Sequence, residues 1–366
     1  MNSAASPEGS AQPPVNDLPA QVPEGTGSPT LRYTVGIVGL GHMGSAFALN
    51  LLAAGHRVLA HDRNLRALAA IHAAGAEAAT ELASLAACDV VITSLPDDEA
   101  LKAITLDGLT RIMPLAAVHL SMSTVSPGLS RLLEAEHDKH GQSYVAAPVL
   151  GNPDLARARK LFVLAAGRSA AIDYVRPLLE RLSERVFVVG EDVGSANLMK
   201  LASNVLTATT LQGMAEVLAL LRKGGIDRRT AFNILTNSLF DARVHRTYGG
   251  KIVHEQYLPA GMVVALATKD LRLALAEAEH VAVPMPTASL VHDRLVELVA
   301  GGWAHLDWSA LGLLEARDAG LPAGPRAPIR SRIRLELRHG VARRQPPGWP
   351  GTCAEVTMGA TTCPRR

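Results

Sequence analysis

From Tyr33 onward, short apolar runs alternate with longer amphipathic stretches. Thr34 to Val38 has the composition of a short buried strand, and Met43 to Ala54 has the period of a helix. Arg57 to Ala60 predicts a second strand and Leu65 to Ala74 a second helix. Strands follow over Asp89 to Leu95, Val118 to Ser121 and Tyr144 to Ala147, with a helix from about Pro127 to His140. Leu161 to Ala165 and Val186 to Val189 add two more around a further helix. Apolar strands alternating with helices imply a parallel sheet covered on both faces.

The pattern changes at Gly194. Up to Leu221 there is no proline and only one internal glycine, and the stretch is apolar nearly all round. Such a segment predicts a helix of roughly 40 Å, buried on every side, joining two domains and forming the spine of the second. Asp227 to Leu235, Leu266 to Ala278 and Thr287 to Ala300 supply further helices. The division expected is a tail over 1–31, a dinucleotide-binding domain over 32–193, a helical domain over 194–321 and a basic tail over 322–366. Both tails are expected to be disordered, because their composition gives them little to bury.

Composition narrows the function. A formal net charge of +2 and 4% aromatic residues argue against nucleic acid as a partner. No run of about 18 uninterrupted apolar residues occurs, so no membrane span is expected, and the N-terminus lacks the pattern of a signal peptide. Three widely spaced cysteines, Cys88, Cys353 and Cys363, do not suggest a disulfide framework. A cytoplasmic protein is the expectation. The histidines, among them His42, His61, His119 and His245, show no metal-ligand spacing, and no metal site is expected.

Gly39-Leu40-Gly41-His42-Met43-Gly44 follows the first strand and opens the first helix. That context turns a common glycine pattern into a dinucleotide-binding loop. Gly39 permits the tight turn, Gly41 lets the backbone approach a pyrophosphate, and Gly44 allows close packing of helix on strand. Asp62, at the end of the second strand, stands where a carboxylate accepts from the 2′-hydroxyl of NAD. Arg63 beside it could instead pair with the 2′-phosphate of NADP. The cofactor is thus NAD or NADP, with NAD favoured. Ser123 and Thr124 lie just beyond a strand's C-terminal end, where open parallel sheets place ligands. Ser126 before Pro127 is a helix cap in the same segment.

These residues resemble the β-hydroxyacid dehydrogenase family. Ala48-x-Asn50-Leu51 and Gly55-His56-x-Val58 extend the resemblance past the loop. Ser94-Leu95-Pro96-Asp97 resembles the segment under the cofactor, and Ser123-Thr124-Val125-Ser126-Pro127 the loop near the nicotinamide. Gly194-x5-Lys200-Leu201-x-x-Asn204 resembles the catalytic helix, and Lys269-Asp270-Leu271 a downstream element. The resemblance spans about residues 33–320. It implies an α/β Rossmann N-terminal domain, a long interdomain helix and an all-α C-terminal domain. It also implies interconversion of a small 3-hydroxy acid with its semialdehyde or keto form.

On that resemblance Lys200 and Asn204 are the catalytic pair. Lys200, in an apolar run, would have its pKa lowered by desolvation and exchange the hydroxyl proton. Spacing alone also allows an exposed, snorkelling lysine. Lys269 is implied near the cofactor, with Leu95, Pro96 and Thr124. Ser123, Thr124, Asn204 and Asp270 are implied around the substrate, with Val149 and Gly151. One departure stands out. The family's Asp-Ala-Pro-Val-Ser-Gly-Gly is here Ala146-Ala147-Pro148-Val149-Leu150-Gly151-Asn152, so a bulkier Leu150 and Asn152 replace small residues. That departure also motivates a second reading, a non-catalytic NAD(P)-binding redox-sensing or interaction module. The apolar helix predicts a homodimer or homotetramer.

Overall fold

A computed structural model of the chain describes residues 32–322. The expected tails, 1–31 and all but the first residue of 322–366, lie outside the described residues.

Nine strands form one sheet: β1 (Thr34–Val38), β2 (Arg57–His61), β3 (Glu77–Ala78), β4 (Val90–Thr93), β5 (Val118–Ser121), β6 (Ser143–Ala146), β7 (Val149–Leu150), β8 (Leu161–Ala166) and β9 (Ser183–Gly190). Their spatial order is 3-2-1-4-5-6-8-7, with β9 on β8. Strands β3 through β6 are parallel, as the apolar runs predict. The sheet is not parallel throughout, however: β8 runs antiparallel to both β6 and β7. The chain reverses between β7 and β8, over Gly151 to Lys160, a span shorter than the crossover that a parallel neighbour requires.

Helices on the sheet are α1 (His42–Ala53), α2 (Leu65–Ala73), α3 (Asp98–Ile104), α4 (Thr110–Ile112), α5 (Pro127–Lys139), α6 (Pro153–Arg157) and α7 (Ser169–Leu182). The stretch 98–112 shows no clean period because a π turn at Thr105–Leu109 interrupts it. Tyr33, Val35, Ile37, Phe47, Leu51 and Ile92 lead the core between the sheet and one helical layer. Cys88 is buried on the opposite face, with Leu85 and Val91.

The long helix α8 (Val193–Lys223) is followed by α9 (Arg228–Thr236), α10 (Gly250–His254), α11 (Val264–His280), α12 (Pro286–Ala300) and α13 (Leu311–Asp318). Its first half packs on α5, β6 and β8, and its length also carries α11, α12 and α13. By length and composition α8 is the one helix among the described residues able to cross a membrane; here it is the packing spine. Complete burial is not met within one chain. Leu206 and Leu220 are each 70% exposed, and Leu198, Met199 and Val217 are also open. Only one face of a helix can meet the sheet and α11–α13, so the opposite stripe is left without a neighbour among the described residues.

A buried polar chain braces β4, β5 and α5. Gln142 Nε2 donates to Thr110 O at 3.1 Å and Met113 O at 2.7 Å. Its Oε1 therefore accepts from His137 Nδ1 at 2.7 Å. His137 Nε2 is then left to accept from His119 Nδ1 at 2.8 Å, and His119 Nε2 from the Thr93 hydroxyl at 2.9 Å. Every link is satisfied only when both imidazoles are neutral. Burial pushes both rings below the usual histidine pKa. His119 is thus a core residue, as its setting in a strand suggests.

Candidate active site

The strand order reverses at β1, whose neighbours are β2 and β4. Ligands of open α/β sheets bind outside the strand ends at such a point. Gly39, after β1, takes φ +94°, and a Cβ there would stand 2.4 Å from Ser94 O. Glycine is required on both counts. A Cβ on Gly44 would lie 1.9 Å from Gly39 O, so only glycine lets α1 sit this close to the turn. Gly41 differs: a Cβ there meets nothing within 4 Å, so its surface faces open space.

Gly41 is the N-cap of α1, and no side chain caps it; the first turn carries no acidic residue. By contrast α2, α3, α5, α6, α8 and α9 each have a side-chain cap. An uncapped helix start facing open space fits a pyrophosphate, whose oxygens would take the free N–H groups. His42 is exposed and Met43 half-buried beside it.

Asp62 stands just past β2 with its carboxylate turned to the loop. Leu40 N donates to its Oδ2 at 2.6 Å and Asn64 N to its Oδ1 at 2.6 Å. Arg63 is exposed next to it. Asp62 therefore joins the glycine loop to the start of α2.

A second group lies where α8 and α11 meet the β5–α5 loop. Lys200 is only 8% exposed, and its Nζ donates to Asn204 Oδ1 at 3.1 Å. Asn204 Nδ2 donates to Asp270 Oδ2 at 2.6 Å. Asp270 Oδ1 pairs with Lys269 Nζ at 2.9 Å, and the same ammonium donates to Thr124 O at 2.5 Å. Five residues from three separate segments thus form one continuous polar chain. Burial lowers the Lys200 pKa from the ordinary lysine value; Asp270 opposes the shift and Lys269 adds to it. A snorkelling Lys200 is not what the structure shows.

Ser123 is buried, and its hydroxyl accepts from Leu95 N at 2.9 Å. It braces the Leu95-Pro96 segment, while Asp98 accepts from Ser126 N at 3.0 Å and from its hydroxyl at 2.5 Å. Ser126 also caps α5 through Leu129 N, as the Ser-Pro pair predicts. Pro96 and Lys269 line opposite sides of a cleft of about 480 Å³, with Asp97, Leu266 and Arg272. Val149 packs in the sheet core, and Gly151 turns with φ +139°; no hydrogen bond joins either to Lys200. Leu150 packs against the apolar cluster that includes Val193 and Ala196 of α8. Asn152 caps α6 through Leu155 N.

Three members of this region carry no recognisable motif. Asn197 Nδ2 donates to Ser130 Oγ at 2.7 Å, and Ser130 Oγ lies 3.2 Å from Tyr144 OH. Asn197 within an apolar helix was the only available signal, because Ser130 and Tyr144 are common core neighbours.

Residues 34–190 match the family profile described as the NAD binding domain of 6-phosphogluconate dehydrogenase. Residues 194–314 match that of the NAD-binding region of NADP-dependent 3-hydroxyisobutyrate dehydrogenase. An uncharacterized oxidoreductase of Bacillus subtilis, YfjR, is 35% identical over 280 residues, which is 76% of this chain and 98% of that protein. The chain belongs to the β-hydroxyacid dehydrogenase family. It is an NAD(P)-dependent oxidoreductase. The 2-hydroxy-3-oxopropionate reductase of Escherichia coli is 27% identical over 283 residues, 76% of this chain and 95% of the reductase. A solved Mycobacterium tuberculosis 3-hydroxyisobutyrate dehydrogenase with L-serine superposes with a TM-score of 0.71 at 26% identity, covering 77% and 98% of the two chains. The glycine loop and the uncapped start of α1 lie within the residues that match the NAD binding profile.

Proposed function

We propose that the enzyme interconverts a small 3-hydroxy acid and its semialdehyde, with Lys200 as proton donor and acceptor. The observation that carries this is the buried Lys200–Asn204–Asp270 chain, linked through Lys269 to the nicotinamide-side loop at Thr124. Bound NAD(P) supplies the hydride exchange at the substrate carbon. Lys200 holds the matching proton: it gives it to the carbonyl oxygen in reduction and takes it from the hydroxyl in oxidation. Asn204 fixes the ammonium, and Asp270 fixes Asn204. Thr124 and the backbone of Ser123 are the groups proposed for the substrate carboxylate, since the Ser123 hydroxyl is engaged with Leu95.

The division at residues 193/194 assigns the cofactor to the sheet and the proton-transfer group to the helices. A cytoplasmic setting agrees with this chemistry. The relatives suggest the assay: 2-hydroxy-3-oxopropionate in the reducing direction and L-serine and 3-hydroxyisobutyrate in the oxidising direction, followed at the reduced-nicotinamide band. Turnover is expected with at least one of these, faster with NAD(H) than NADP(H), because Asp62 repels a 2′-phosphate. Tight cofactor binding with no turnover of any 3-hydroxy acid or semialdehyde would favour a redox-sensing module instead.

The outward stripe of α8 supports a homodimer or homotetramer. A contiguous apolar face of this kind is covered in most soluble proteins. Light scattering is expected to give at least twice the 38.6 kDa chain mass; a monodisperse monomer would remove this part of the reading.

A further inference from the structure

Asn197, Lys200 and Asn204 occupy one face of α8 at helical spacing. Asn197 is 1% exposed. Its amide nitrogen is used by Ser130, but its Oδ1 has no hydrogen-bond partner among the described residues. A buried acceptor without a donor is uncommon and calls for one. Lys200 Nζ, one turn away, carries three donors when charged and meets a single side-chain acceptor, Asn204 Oδ1.

The other end of the Asn197 link lies on α5, the helix that follows the loop held by Lys269. Ser130 Oγ lies 3.2 Å from Tyr144 OH on β6, which pairs with β5. Lys269 holds Thr124, just before α5. The two polar chains thus leave α8 on either side of Lys200 and reach Thr124 just ahead of α5 and Ser130 in its first turn.

We propose that Asn197 is a positioning residue for Lys200: its Nδ2 moors α8 to Ser130 and Tyr144, and its Oδ1 is the second acceptor for the Lys200 ammonium. The lysine side chain moves between the Asn204 and Asn197 oxygens by rotation about its own bonds. The charged groups acting on Lys200 are Asp270 and Lys269 of α11. On the α5 and β6 side Asn197 meets hydroxyls, and Arg131 of α5 is paired outward with Asp192. The Asn197 carbonyl is therefore the dipole on that side that can favour the charged lysine. This role rests on Lys200 being the proton-transfer group, but its test does not need turnover.

The chain has seven lysines, so carbon-13 at lysine Cε gives a countable spectrum. The NAD-bound protein would be titrated as wild type, Asn197→Asp and Asn197→Leu, with the Lys200 signal assigned by its loss in Lys200→Met. A carboxylate at 197 favours the ammonium and should raise the Lys200 midpoint by about one pH unit; leucine removes the acceptor and should lower it by about as much. Either variant decides the matter if the other fails to fold. A midpoint unchanged from wild type, with only the melting temperature lowered, would make Asn197 a structural residue and overturn the proposal. Full turnover by Lys200→Ala would refute the proton-transfer reading separately, leaving the titration to judge Asn197.

Discussion

Lys200→Ala is expected to lower turnover by roughly 10²–10⁴-fold, the usual contribution of a positioned general acid or base, while NAD(P) binding is unchanged. The reason is geometric: Lys200 belongs to the polar chain of α8 and α11, and the glycine loop proposed for the pyrophosphate lies after β1. The pH dependence carries a sign. Reduction needs the ammonium, so its rate falls as pH rises through the Lys200 pKa. Oxidation needs the amine, so its rate rises over the same range. Burial places that midpoint below the ordinary lysine value. Stopped-flow fluorescence for cofactor binding and steady-state rates across pH provide the check. A variant that kept both its turnover and the wild-type pH limb would move the proton to another group.

Gly44→Ala and Gly41→Ala separate folding from binding. At Gly44 the new methyl would fall 1.9 Å from Gly39 O. Backbone cannot yield as a side-chain tip can, so α1 must shift from β1, at a cost of roughly 3 kcal/mol or more. Melting temperature and cofactor affinity should both fall. At Gly41 the methyl meets nothing within 4 Å among the described residues; it occupies the space expected for the pyrophosphate. Here the melting temperature should hold while cofactor affinity drops. Calorimetric melting and fluorescence titration of NADH read the two effects. Equal melting of Gly44→Ala and wild type would refute the close-packing account of that glycine, and unaltered NADH binding by Gly41→Ala would place the phosphates elsewhere.

Local pattern is strongest where one element's chemistry is self-contained. The β1–Gly39–α1 unit was legible because strand, turn and helix start are consecutive and each glycine has its own steric reason. Lys200 was legible as an apolar-helix lysine, but its partners were not fixed by spacing: Asp270 and Thr124 reach it only through the packing of α11 and the β5 end. The Ser123 hydroxyl shows the limit in the other direction. Its place beyond a strand suggested a ligand contact, yet it hydrogen-bonds Leu95 N, a pairing set by the β4–β5 register. The β6–β7–β8 reversal escaped because β7 is only two residues long. The exposed stripe of α8 escaped because overall apolarity does not say which side faces the chain's own core.

The single helix α8 also has a thermodynamic consequence. Its first turns complete the apolar cluster under β6 and β8, and its later turns are the central wall of the α11–α13 cluster. Neither cluster retains a closed surface once α8 frays, because each would lose a whole side to water. The sheet and the helical layer are therefore expected to lose structure in one cooperative transition, with hydrogen exchange slowest along the middle of α8. A cofactor bound at the glycine loop would then protect amides in the helical layer as well as in the sheet.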